Sequence, residues 1–207
     1  MAGLDIFAEP EGIDVDTLRN LGPLSALAGV WEGEKSLDIN PKAEGPVRQR
    51  YVEHIELQPI DPQTNGPQLF YGLRYHARMV KPGEIETYHD QVGYWLWEPA
   101  TGLLVLSLAI PRAQVALASG QATRDAKTFE VFAERGKPDY GICSTTFLEQ
   151  NFRTESFRMK VTLNPDGSWS YFEDTLLMLR GTDPFHHTDE NTLRKISEPT
   201  PNPLARK

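Results

Sequence analysis

Side chains that alternate between apolar and polar, run after run, restrict most tightly how this chain folds. In Leu69 to Met79 one face carries Leu69, Tyr71, Leu73, Tyr75, Ala77 and Met79, and the other carries Arg74, His76 and Arg78. Phe157, Met159, Val161 and Leu163 alternate in the same way with Arg158, Lys160 and Thr162. Successive residues of a strand point to opposite faces, so each run predicts a strand with one wet side, and His76 is expected to face solvent. Lys81-Pro82-Gly83-Glu84, Glu98-Pro99-Ala100-Thr101-Gly102 and Asn164-Pro165-Asp166-Gly167 separate the runs. Turns this short join antiparallel neighbours and leave no room for helical crossovers. The tally is about ten strands with helix only at the start, which predicts an all-β fold, a single antiparallel up-and-down β-barrel. A barrel of that strand number has space inside for a small ligand.

The barrel opens at Leu27-Ala28-Gly29-Val30-Trp31-Glu32-Gly33-Glu34. Gly29 is expected to end a preceding helical turn in a left-handed conformation, and Gly33 to let another chain approach closely. Trp31, between them, is expected to bury its ring. Upstream, Asp14 is placed to cap a short helix running through Leu21, with Gly22 and Pro23 ending it. The expected organisation is an N-terminal extension with a short helix over 1–22, a barrel over 23–196 closed at one end by that helix, and a disordered tail over 197–207.

Two strands carry anomalies. From Val47 to Leu57, Val47, Tyr51, Ile55 and Leu57 share one face, and Glu53 falls among them. A carboxylate there either pairs with an inward polar group or lies near an open end. Ile85 to Trp97 has Tyr88 and Tyr94 in one phase and Trp95 and Trp97 in the other, so both faces are expected to be covered. His89 shares the phase of Trp95, and counting leaves its facing open.

Lys+Arg 21 against Asp+Glu 29 gives a formal charge of -8, which argues against nucleic acid and against an anionic membrane surface as partners. The longest apolar run, Leu103 to Ile110, stops at Pro111, too short to span a bilayer. Met1 to Asn20 lacks the basic start and apolar core of a signal peptide, so a cytoplasmic location is expected. Cys143 is the single cysteine and has no Cys-x-x-Cys or catalytic partner, so it is expected to be a small buried residue. No phosphate loop, nucleophile elbow or zinc-spaced cluster is present.

The order of the pieces resembles the nitrobindin family, heme-binding β-barrels of the THAP4 C-terminal type, related in shape to lipocalins and fatty-acid-binding proteins. The resemblance rests on Pro23, Leu24, Leu27, Gly29, Trp31 and Gly33 of the opening, on His89-Asp90-Gln91-Val92-Gly93-Tyr94-Trp95, and on Thr192, Leu193, Lys195 and Ile196 of a last strand. It spans 23–196. It implies heme at the barrel mouth, an axial histidine near the last strand, a mostly apolar distal side, nitric oxide or peroxynitrite isomerase chemistry, and a homodimer. Two departures stand out: Lys35 where the family usually has a further glycine, and Thr188 where the axial histidine is expected. Threonine is a poor axial ligand, so either a shifted turn presents His186 or His187 to a metal or the heme site has been lost.

His186-His187-Thr188-Asp189-Glu190 therefore carries most of the functional weight. As a heme or metal site, His187 or His186 supplies the ligand and Asp189 holds a ring N–H. As an acid-base pair, a histidine with Asp189 or Glu190 moves a proton on a bound substrate. As structure, Thr188 and Asp189 hydrogen-bond a turn. Arg112 is a candidate for a heme propionate or another carboxylate at the rim. Tyr51, Tyr71, Tyr75 and Tyr94 fall on inward faces by period, and Tyr75 and Tyr94 join the candidate ligand contacts. The functional readings are a heme-binding barrel, a heme-free carrier of an apolar carboxylate, and a small barrel enzyme. All three require a small hydrophobic or amphipathic ligand inside the barrel.

Overall fold

The computed structural model describes residues 5–201. Helix α1 (Thr17–Asn20) and a 3-10 turn (Gly22–Leu27) lead into β1 (Gly29–Gly33), β2 (Leu37–Asn40), β3 (Val47–Gln49), β4 (Val52–Pro59), β5 (Gln63–Asn65), β6 (Gln68–Val80) and β7 (Thr87–Glu98). There follow β8 (Leu103–Ile110), β9 (Gln114–Gln121), β10 (Thr128–Glu134), β11 (Ile142–Ser144), helix α2 (Thr146–Asn151), β12 (Phe152–Leu163), β13 (Trp169–Leu179) and β14 (Phe185–Ser197). The order β1-β4-β6-β7-β8-β9-β10-β12-β13-β14 closes on itself where β14 pairs with β1, giving a ten-stranded antiparallel barrel. The alternation that predicted it sets the register: Leu73 faces Trp95, and Val161 faces Tyr171.

The floor is the N-terminal plug. Leu21, Leu24 and Leu27 are fully buried against Trp31 and Trp97, and the Trp31 indole donates to the Leu27 carbonyl at 2.7 Å. A tryptophan buried with its N–H satisfied costs nothing in lost hydrogen bonding, so the ring adds its full apolar area to the core. A Cβ on Gly33 would sit 2.6 Å from the Asn191 side chain, so the expected close approach is real. Gly29 behaves differently from its expected role: it is the first residue of β1 at φ +133, and a Cβ there would meet the Ser197 carbonyl at 2.7 Å. Close pairing to the last strand, rather than helix termination, is what requires glycine there.

Two breaks shape the mouth. The C-terminal part of β14 pairs with β1 and its middle with β2, so β1 and β2 are one edge interrupted at residues 34–36. Ser36 spans the break, its hydroxyl donating to the Tyr51 carbonyl and accepting from the Tyr51 amide at 2.7 Å. Beyond it, β2 pairs with the middle of β14 and with β3, as a hairpin. A bulge between Thr154 and Ser156 in β12 lets Thr154 and Phe157 face the same way.

Three expectations are corrected. Helix is not confined to the start, because Thr146–Asn151 forms α2. The chain there, Thr-Phe-Leu-Glu-Gln-Asn, is too short to show helical periodicity. Cys143 is exposed rather than buried, on the short strand β11 that pairs with β9. The outer face of β7 is open: Tyr94 and Val92 are 43% and 44% exposed, because barrel closure takes Trp95 and Trp97 inward and leaves the opposite phase outside. Residues 1–4 of the expected N-terminal extension and 202–207 of the expected tail lie outside the described residues. Before them, the Thr200 amide donates to Gln58 at 2.6 Å. Among the described residues no helix is long and apolar enough to cross a membrane.

Candidate functional site

The inward phase of the strands encloses a cavity of about 760 Å³. Its lining varies in chemistry. Ala77 and Met79 of β6, Leu106 and Leu108 of β8, Ala116 of β9 and Met159 of β12 supply apolar lining, interrupted by His89 and Gln91 of β7 and Gln114 of β9. Bordering them, Tyr171, Glu173 and Thr175 of β13 lie beside Asn191, Asp189 and His187 of β14, with Glu53 of β4 and Asp38 of β2 completing an acidic stretch; Glu173 pairs with Met159 and Glu53 with Met79. Each arrives by strand alternation: Trp169, Tyr171, Glu173 and Thr175 share one phase, as do His187, Asp189, Asn191 and Leu193.

Deep in the wall, Glu53 is 2% exposed and its Oε2 accepts from the Tyr171 hydroxyl at 2.9 Å and from the Asn191 amide at 3.0 Å. The Tyr171 hydroxyl lies 2.8 Å from that of Tyr51, which is 3.2 Å from the Glu190 carbonyl. Higher up, His187 Nε2 is 3.0 Å from Asp38 Oδ1 and 3.3 Å from Asp189 Oδ2. Asn40 donates to Asp38 Oδ2 at 2.8 Å, while its own Oδ1 is buried without a partner, as is the Tyr88 hydroxyl. The indole N–H of Trp169, near the floor, is likewise unpartnered.

Carboxyls gathered away from water resist ionisation. Burial pushes Glu53 up to about 7, against the bonds from Asn191 and Tyr171, which favour its charged form. Glu173 and Asp189, directly opposite each other, are both raised, first by burial and then by other carboxylates, Glu53 for Glu173 and Glu173 for Asp189. His187 does not bring Asp189 down, because burial and Glu173 outweigh its attraction. Burial alone would lower His187, but the bond to Asp38 and the charges of Asp189 and Asp38 raise it. His89 goes the other way: burial lowers it, and its Nε2 sits 3.3 Å from Gln91 Oε1. The wall is therefore a store of protons and an acceptor surface for donor groups, with a histidine–carboxylate trio at its upper end.

The sequence-derived candidates separate. His187, Arg112 and Tyr75 line the cavity, with Tyr75 accepting from Gln91 at 2.7 Å and Arg112 donating to the Tyr88 carbonyl at 3.3 Å. His186 points outward, its side chain 65% exposed and 2.9 Å from Asp174. Thr188 shares that outward phase, opposite Asp174 and Ile39, and Tyr94 is on the outer surface. His89, whose facing was open, lines the cavity. Sequence reasoning missed Asp38, Glu173 and Asn191. Counting phase from Trp169 finds Glu173 and counting from Leu193 finds Asn191, whereas Asp38 sits on a four-residue strand with no alternation to count.

A plugged ten-stranded antiparallel barrel with a lined interior cavity is a ligand-binding barrel. The family model described as "THAP4-like, heme-binding beta-barrel domain" matches residues 20–195, and the chain belongs to that family. Among solved structures it is similar to Rv2717c from M. tuberculosis, at 18% identity over 88% of this chain and 99% of that one, with a TM-score of 0.61. That likeness bears on the fold alone. A β-barrel-like protein of a domain of unknown function from Brucella abortus aligns at 9% identity over 81% of this chain and 97% of that one, with a TM-score of only 0.23. No curated protein matches the sequence.

Proposed function

We propose that this barrel binds a small amphipathic molecule whose apolar body lies on the β6–β8–β12 wall and whose head donates hydrogen bonds to Glu53 and Glu173. The observation that carries this reading is that one cavity joins apolar side chains to a stretch of buried carboxyls. A cationic head takes up the charge that Glu53 or Glu173 carries once ionised, whereas an anionic head finds no opposite charge among these carboxyls. A carrier of apolar carboxylates is therefore disfavoured, although Arg112, Lys42 and Lys81 also line the cavity.

The cavity has apolar lining for the family's heme, but the donors on β14 do not fit its iron. Iron on His187 Nε2 needs the space around that nitrogen for a flat macrocycle, and Asp38 Oδ1 and Asp189 Oδ2 stand there at 3.0 and 3.3 Å. His186 and Thr188 face away from the cavity. No heme step is assigned to this chain, and nitric oxide and peroxynitrite chemistry fall outside the proposal.

The test compares dodecylamine with dodecanoate by competition against a fluorescent amphiphile, alongside a hemin titration followed at the Soret band. The amine is expected to bind at least about tenfold more tightly than the carboxylate, and hemin to give no shift that His187→Ala abolishes. Tighter binding of dodecanoate, or a saturable one-to-one Soret shift lost in His187→Ala, would overturn the reading.

A further inference from the structure

We propose that Asp38, His187 and Asp189 form a binding site for a divalent transition-metal ion, held by the protein alone at the mouth end of the acidic wall. Their donor atoms all lie within 4.8 Å of one another, and no other such trio of metal-binding side chains occurs among the described residues. The distances of 3.0 and 3.3 Å from His187 Nε2 to the two carboxylates match the edges between neighbouring donors around an ion whose bonds are about 2.0–2.2 Å long. The oxygens that obstruct a porphyrin are thus placed to ligate an ion themselves. One imidazole with two carboxylates suits zinc, manganese or ferrous iron better than calcium or magnesium.

Burial separates this trio from a surface ion pair. The Asp38, Asp189 and His187 side chains are 6%, 15% and 31% exposed, whereas His186 with Asp174 is an open pair on the outer face. Asp38, Asp189, Glu53 and Glu173 share one wall, where burial favours either a bound proton or a matching cation for each carboxyl. An ion at the trio supplies positive charge there. Two further atoms point to a cation. Asn40, which holds Asp38 in place through its Nδ2, leaves its Oδ1 buried and unpartnered, and the Tyr88 hydroxyl, within electrostatic reach of Asp38 and Asp189, is likewise an orphan. Both line the same cavity.

Binding replaces the proton shared between His187 Nε2 and the carboxylates, which leaves for solvent as the nitrogen lone pair turns to the ion. The ion keeps positions open toward the cavity, because the protein contributes three strong ligands and an open position admits water or a ligand head group. This inference does not rest on the amphiphile reading: the three side chains bind the ion whether or not an organic ligand enters.

The experiment uses the full chain, stripped with a chelator and titrated with Zn²⁺ in competition with a chromophoric chelator, then with Co²⁺ followed by its visible absorption. One ion per chain is expected, with affinity falling by roughly a hundredfold or more in Asp38→Asn, His187→Ala and Asp189→Asn. His186→Ala is expected to leave it within threefold. Should a ligand variant fold poorly, the readout becomes the rise in wild-type melting temperature on adding Zn²⁺, which is expected to be absent in whichever variant keeps the wild-type circular dichroism. Absence of saturable one-to-one binding, binding that survives all three substitutions, or binding lost in His186→Ala would overturn the proposal.

Discussion

Replacing Glu53 by glutamine tests the electrostatics of the interior in one step. The amide keeps an acceptor for Tyr171 and Asn191, the two groups 2.9 and 3.0 Å from Glu53 Oε2, and removes only the ability to ionise. In the folded protein the Glu53 carboxyl is raised from 4.5 to about 7, chiefly by burial. A raised acid stabilises the fold while protonated: its contribution is complete below pH 4.5, declines as the unfolded chain ionises, and is gone above about pH 7. At about 1.4 kcal/mol per pH unit, that interval corresponds to roughly 3 kcal/mol. Glu53→Gln should therefore match wild type within about 1 kcal/mol near pH 4.5 and exceed it by up to about 3 kcal/mol near pH 8. Urea unfolding of the metal-stripped proteins across that range, with unchanged m-values, reads the difference directly. A gap between the two proteins that does not change with pH, or a variant less stable than wild type at pH 8, would refute the assignment of a buried, proton-holding carboxyl.

Tyr171→Phe removes the donor to Glu53 and the link to Tyr51, so a loss of about 1–3 kcal/mol is expected in urea, growing as pH rises because ionised Glu53 loses a stabilising bond. Gly33→Ala drives a methyl to within 2.6–2.8 Å of an Asn191 amide tied to Glu53, and should cost about 1–3 kcal/mol by thermal unfolding. His186→Ala, losing only a half-exposed contact to Asp174, should change stability by no more than about 0.5 kcal/mol in the same thermal assay.

The barrel was legible because each long strand repeats the same instruction. Leu69 to Met79 declares its inner face many times over, so one ambiguous residue does not alter the result. Facing was harder where both phases are apolar or aromatic. In β7 the tryptophans and tyrosines alternate, and closure of the barrel, a property of all ten strands, decides that Tyr94 stays outside. The site was legible in fragments. Glu53 stood out as a charge on an apolar face, and His187 lay in the cluster singled out. Nothing local joins Asp38 to His187, 149 positions away, because β14 meets β2 only after the chain has gone around the barrel. Residues 146–151 of α2 were missed for the opposite reason, being too brief to express any period.

The interruption at residues 34–36 divides the site between two segments of the rim. Asp189 and His187 belong to the closed wall, whereas Asp38 rides on the β2–β3 hairpin, which reaches that wall through three paired positions at Thr188, Asp189 and Glu190. Anything gripping Asp38 and His187 together staples the hairpin to the rim. Amide hydrogens over residues 37–49 are then expected to exchange more slowly with the upper site filled than with it empty, which would make the rim a gauge of occupancy.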